Sequence, residues 1–264
     1  MDSLSEAVRW LWALSIVCQI AVPTVLFVTK NSRKLPFFTA CALLNVLQAA
    51  LLLALHAMPQ DQSTIFREVA WDSQGVILLA QALAATEVLG VTLKAYPGIW
   101  GLGWRVLALS SGIVLVVVVA ASRSGWAYAR WFDLNRGYHV IFSTAMVACL
   151  LLIRYYAIPV PRAYKLLLGG FCFYSCTEIL INTVLQALFY RHFAYYEPVW
   201  QFTTMSSFIL VEGMWLTALR QALPEVVASY QEAAGNAPAR LVEIHAQLRE
   251  LNDKLGRMWK LEVR

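Results

Sequence analysis

Three glutamates stand inside stretches that are otherwise apolar: Glu87 in ALAATEVLGVT, Glu178 in FCFYSCTEILINTVL and Glu212 in SSFILVEGMWL. Buried carboxylates that meet can exchange protons, balance a cation or hydrogen-bond a polar ligand. Facing lipid, each would cost several kcal/mol, so the sequence requires them to face one another or a water-filled cavity. Counting at about 1.5 Å per residue puts all three within roughly one helical turn of a bilayer midplane. Gln19, Asn45 and Gln48 fall at nearly the same depth, and Asn182 lies one turn from Glu178 on the same face. The expectation is one polar layer, a ligand-binding or proton-responsive cavity lined by Glu87, Glu178, Glu212, Asn182, Gln19, Asn45 and Gln48. No Lys or Arg shares the layer; Lys94 is about two turns away. The three carboxylates are therefore not all expected to be ionised together, unless a bound cation balances them. A plainer reading stays open, in which protonated Glu, Gln and Asn hydrogen-bond the helices together.

The elements that must position these groups follow from composition. Of 264 residues, 59% are hydrophobic and 14% charged, with a mean hydropathy of +0.59. A soluble domain carries more charge than this. Apolar runs near the length needed to cross a bilayer occupy about 9–28, 36–56, 73–94, 104–121, 138–156, 165–190 and 198–219. They are continuously apolar, without the alternation of a barrel strand, so the expected class is all-α: a polytopic membrane protein with seven transmembrane helices. Residues 1–222 form the membrane domain and 223–264 a tail. The acidic start, with Asp2 and Glu6, is not that of a cleavable signal peptide.

Lys and Arg set the orientation. Fifteen of the 21 fall after runs one, three, five and seven; the other side holds Arg9, Arg67, Arg123, Arg130, Arg136 and Arg191. The richer side is expected to be cytoplasmic, which leaves the N-terminus outside and the C-terminus inside. This distribution accounts for the formal charge of +5 with no appeal to nucleic acid. The expected location is a bacterial cytoplasmic (inner) membrane, with the bilayer itself as the first partner.

The tail differs in kind. After Gly235-Asn236-Ala237-Pro238, apolar residues recur at Leu241, Ile244, Leu248, Leu251, Leu255 and Met258, in steps of 3, 4, 3, 4 and 3. That is a coiled-coil seam over about three heptads, or the apolar face of an amphipathic helix on the membrane. Residues 239–263 are accordingly expected to join a second copy of the chain or a partner membrane protein.

Other constellations are sparse. The five cysteines all fall within the runs, an odd number and no disulfide framework. Cys172 and Cys176 share a helix face without a third ligand, so small apolar packing is the reading taken. His56 and His139 are placed at the outer ends of their runs, as interfacial side chains rather than haem ligands. The sequence holds no Walker A loop, HExxH, GxSxG or CxxCH, so neither an enzyme nor a resident cofactor is expected. The outline is similar to that of microbial rhodopsins, but the last run has no lysine for a retinal Schiff base; Glu212 stands in that region. In KLPFFTACALLNVLQ and EVLGVTLKAYPGIWGLGWRVL the chain resembles a loose group of uncharacterised bacterial seven-helix integral membrane proteins. That resemblance implies the fold and brings no activity with it.

Two function classes follow, with a third behind them. The first is a receptor-like or accessory subunit that binds a small ligand, lipid or membrane partner and associates through its tail. The second is a small-solute or proton-coupled transporter using the midplane glutamates. Against the second stands the poor internal repeat, limited to VLQA at 46–49 and 184–187. The third is a structural subunit of a larger membrane complex.

Overall fold

The computed structural model describes residues 2–56, 63–94, 96–122, 127–155, 158 and 160–224, with 246–247, 249–250, 252–254 and 257 of the tail. The described elements are helical: α1 (Asp2–Val28), α2 (Pro36–His56), α3 (Ser63–Thr92), α4 (Pro97–Ser122), α5 (Ala127–Tyr155) and α6 (Arg162–Leu219), with a 3-10 turn at Asn31–Arg33. Among the described residues, six segments are long and apolar enough to cross a membrane: Glu6–Val28, Pro36–Leu55, Ser73–Thr92, Asn135–Tyr155, Arg162–Val184 and Val199–Leu219. The last two both belong to α6. A straight helix would separate residues 167 and 215 by roughly 70 Å. Yet the Trp215 indole Nε1–H donates to the Leu167 carbonyl at 3.3 Å. The element is therefore two antiparallel arms that pack on each other.

Proline placement explains several helix starts. Pro36 and Pro97 each occupy the first position of a helix, where the missing N–H is no loss, and Pro161 immediately precedes α6. The helices extend beyond the apolar runs. α3 starts at Ser63 and α5 at Ala127, because polar stretches such as AYARWFDLNRG continue the helix. The connections are shorter than hydropathy alone implies.

Consecutive helices pack side by side, the N-terminal arm of α6 packs on α5, and α1 packs on α6. The core centres on Phe38, Phe171 and Trp215, whose ring centroids lie 4.9–5.8 Å apart, with Leu26, Leu89, Met146 and Leu167 fully buried nearby. The outer surface is apolar, with Leu47, Leu109, Val116, Leu151, Leu180 and Leu210 all exposed. Exposed threonines keep to this pattern. Thr24, Thr144 and Thr217 each turn the hydroxyl onto the carbonyl four residues back, at 2.7 Å, so no donor is left to the surroundings.

One end of the bundle is stitched together by polar contacts. Lys30 takes a left-handed backbone, φ 58°, and turns the chain so that Asn31 points inward. The Asn31 amide Nδ2–H donates to the Leu219 carbonyl (3.2 Å) and to the Gln221 carbonyl (2.9 Å), and its Oδ1 accepts from the Leu223 N–H (2.9 Å). Lys34 Nζ donates to the Leu223 carbonyl, and the Tyr164 hydroxyl to the Pro224 carbonyl at 3.4 Å. The α1–α2 turn thereby closes the open carbonyl end of α6.

Candidate functional site

The polar residues form a staircase rather than one layer. Its bottom step is Glu87. Oε1 accepts from the Phe37 N–H (3.1 Å) and Oε2 from the Phe38 N–H (2.8 Å). These are amides of the first turn of α2, which have no partner in their own helix; the next one, Thr39 N–H, already donates to the Leu35 carbonyl at 3.0 Å. Glu87 is thus a helix cap supplied from a neighbouring helix, with its charge at the positive end of the α2 dipole. The depth count along α3 placed it too high. It sits level with the start of α2, about 12 Å from that helix's midpoint. Glu87→Ala is expected to lower stability by about 2 kcal/mol, because two donors lose their acceptors. Denaturant titration of the detergent-solubilised protein measures it, and Glu87→Gln, keeping one acceptor oxygen, should lose about half as much.

The next step is Glu212, on the C-terminal arm of α6. It is three residues from Trp215, so about 4.5 Å above the Phe38 level. It is 2% exposed, near Cys18 of α1 and Cys41 of α2, and its Oε2 has no hydrogen-bond partner.

The top step is Glu178, seven residues beyond Phe171 and about 10 Å above the same level. It is buried; Oε2 accepts from the Asn182 amide at 3.1 Å, and Oε1 has no partner. The i,i+4 pairing read from spacing therefore exists. Around it lie groups the sequence reading did not join to the site. The Tyr174 hydroxyl, near Glu178, is hydrogen-bonded to the Gln81 side chain. The Tyr138 hydroxyl donates to the Leu78 carbonyl at 2.8 Å, tying α5 to α3. His139 is fully buried, its Nδ1 3.2 Å from Ser175 Oγ, and its ring meets Tyr138 and Tyr174 edge-on at 5.2 and 5.6 Å. The placement of His139 at an outer helix end is corrected: α5 begins at Ala127, so this histidine lies inside the bundle.

The remaining amides separate. Asn45 is buried with its Nδ2 3.9 Å from Cys41 Sγ. Gln48 Nε2 donates to Ser73 Oγ (2.9 Å) and more weakly to Gln74 Oε1 (3.4 Å), joining α2 to α3. Gln19 on α1 has a buried Oε1 without a partner. Among the described residues no hydrogen bond links one of the three glutamates to another, and no three His, Cys, Asp or Glu converge as metal ligands.

The tail residues Leu241, Ile244, Leu248, Leu251, Leu255 and Met258 lie outside the described residues. The described tail positions between them are helical and meet the bundle. Asn252 Oδ1 accepts from the Gly98 N–H at 2.8 Å, capping the first turn of α4. Arg249 lies close enough to Tyr96 for its charge to draw the phenol pKa down, against burial, which pushes it up more strongly. Lys254 and Glu250 form an exposed pair at 2.7 Å on the same helix.

The staircase can hold polar atoms in an apolar interior, and three of its buried acceptors await a donor: Glu178 Oε1, Glu212 Oε2 and Gln19 Oε1. No family model, curated protein or solved structure matches the chain.

Proposed function

We propose that the chain is a seven-span integral membrane protein of receptor-like or accessory type, in a bacterial inner membrane, with its N-terminus outside and its tail in the cytoplasm. α4, with the fourth apolar run, supplies the seventh span. The end stitched by Asn31 and Lys34 is the one rich in Lys and Arg, which supports the orientation. The buried cluster around Glu178 is the ligand site and the tail is the output.

The observation that carries this reading is the hydrogen bond from Gly98 N–H to Asn252 Oδ1. It seats the tail on the turn between α3 and α4. α3 is also the helix whose Gln81 holds Tyr174 and whose Glu87 caps α2. A change at the buried cluster can thus reach the tail through one rigid element, and a tail released from Gly98 is free to pair through its seam.

Asn252→Ala tests it. Amide exchange across residues 246–257 should speed about tenfold, the equivalent of losing about 1.4 kcal/mol of cap, while the bundle keeps its unfolding midpoint. Exchange unchanged from wild type would mean that the contact does not hold the tail, and the reading would fall. The descending carboxylates favour a second reading, a small-solute or proton-coupled carrier. Flux into sealed liposomes separates the two, since a receptor moves no solute.

A further inference from the structure

We infer that the cluster where α3, α5 and α6 meet is a proton-binding site, in which Glu178 and His139 share one exchangeable proton. The inference rests on the reading of this cluster as the ligand site and names its ligand.

The geometry starts from two orphaned atoms. His139 is 0% exposed; its Nδ1 is engaged by Ser175 Oγ at 3.2 Å and its Nε2 has no partner. Glu178 is 6% exposed; its Oε2 is engaged by Asn182 and its Oε1 has no partner. Ser175 and Glu178 are three residues apart on α6 and so lie on one face, which brings the imidazole and the carboxyl to the same space between α5 and α6. Tyr174 borders both, edge-on to the imidazole and near the carboxyl.

The chemistry follows from counting donors. In the tautomer in which Nδ1–H donates to Ser175, Nε2 offers only a lone pair. Oε1 of the carboxylate also offers only lone pairs. In that tautomer both orphaned atoms are buried acceptors without a donor, an arrangement that native interiors avoid. One proton on either atom, relayed through a bridging water, relieves both; the two atoms make no direct hydrogen bond with each other. Taking it from hydronium forms one O–H or N–H bond at the site and breaks one O–H bond of the hydronium, which leaves as water. A bulkier donor has less claim, because the Tyr138 and Tyr174 rings already pack against the imidazole at 5.2 and 5.6 Å.

The groups facing the pair keep it isolated. Around Tyr174 stand Cys41 of α2, Gln81 of α3 and Tyr138 of α5; Glu212, on the C-terminal arm of α6, lies near Cys41, and half-buried Arg136 precedes His139 by one turn on α5. None of the described buried residues is Lys or Arg.

The experiment is infrared pH-difference spectroscopy of the full-length protein in phosphatidylcholine vesicles, in H2O and D2O. Acidification should produce a protonated-carboxyl C=O band that shifts in D2O and is lost in Glu178→Gln. In His139→Gln the band should remain, with its midpoint moved by about one pH unit. A band that persists in Glu178→Gln overturns the site; a midpoint unmoved in His139→Gln overturns the sharing. Should Glu178→Gln fail to fold, Ser175→Ala, which frees Nδ1 and leaves the carboxyl in place, must move the same midpoint, and an unmoved midpoint again overturns the sharing. Exchange of the tail across the same pH range keeps the two ideas distinguishable. A titrating Glu178 beside a pH-indifferent tail leaves the proton site standing and overturns the receptor reading. A tail that still depends on Asn252 beside a silent Glu178 does the reverse.

Discussion

Asn31→Ala should cost about 4 kcal/mol of stability, the largest loss expected from any single polar substitution in this chain. Asn31 is 0% exposed and makes three hydrogen bonds, donating to the carbonyls of Leu219 and Gln221 and accepting from the Leu223 N–H. Truncation strands the buried Leu219 carbonyl and Leu223 N–H, each at a cost of about 1–3 kcal/mol, and frees the part-buried Gln221 carbonyl. The near-isosteric Asn31→Asp should not rescue. It keeps the acceptor for Leu223 but turns a second acceptor toward two carbonyls. Denaturant titration of the purified protein, followed by tryptophan fluorescence, reads both variants. A loss under about 1 kcal/mol for the alanine would show that the three groups find other partners.

Gly170→Ala should be nearly as harmful, at about 3 kcal/mol. A Cβ there would clash with Trp215 Nε1 and lie 2.9 Å from its Cδ1. The indole has little room to retreat, because it packs against Phe38 at 5.1 Å and Phe171 at 4.9 Å and donates to the Leu167 carbonyl. One methyl thus sets overpacking against the loss of the bond that joins the two arms of α6. The neighbouring Gly169→Ala is the control. Its Cβ would meet Met214 Cε at 3.5 Å, ordinary contact with a flexible side chain, and alanine is the better helix former by about 1 kcal/mol. The pair should therefore move in opposite directions in thermal unfolding.

What could be read from the chain, and what could not, divides by range. Of the seven apolar runs, six coincide with segments long and apolar enough to cross a membrane among the described residues, because lipid leaves a helix no choice but to bond within itself. Asn182 was paired with Glu178 from spacing alone, and the structure places its amide 3.1 Å from the carboxylate. Contacts between distant parts of the chain were not legible. Asn31 reads as an ordinary turn residue until the end of α6 is beside it. Glu87 reads as an intramembrane carboxylate until the start of α2 reveals two amides in need of an acceptor. One local signal does point there: after a proline at the first helical position the next amides stay open, and a carboxylate from another helix can close them. His139 was misplaced because hydropathy ends a span where polar residues begin, whereas the helix continues through them to Ala127.

The end of α6 is finished by Asn31, which precedes Leu219 by 188 positions. On a ribosome this separation becomes time. The first hairpin emerges with an asparagine whose partners have not been synthesised, and it stays unmatched until the final span has been threaded. A nascent chain stopped before residue 219 therefore displays an unsatisfied amide at Asn31, and one that has passed residue 223 conceals it. Assembly of the bundle is thus closed by the end of α6 returning to the turn that follows α1, long after that turn was made.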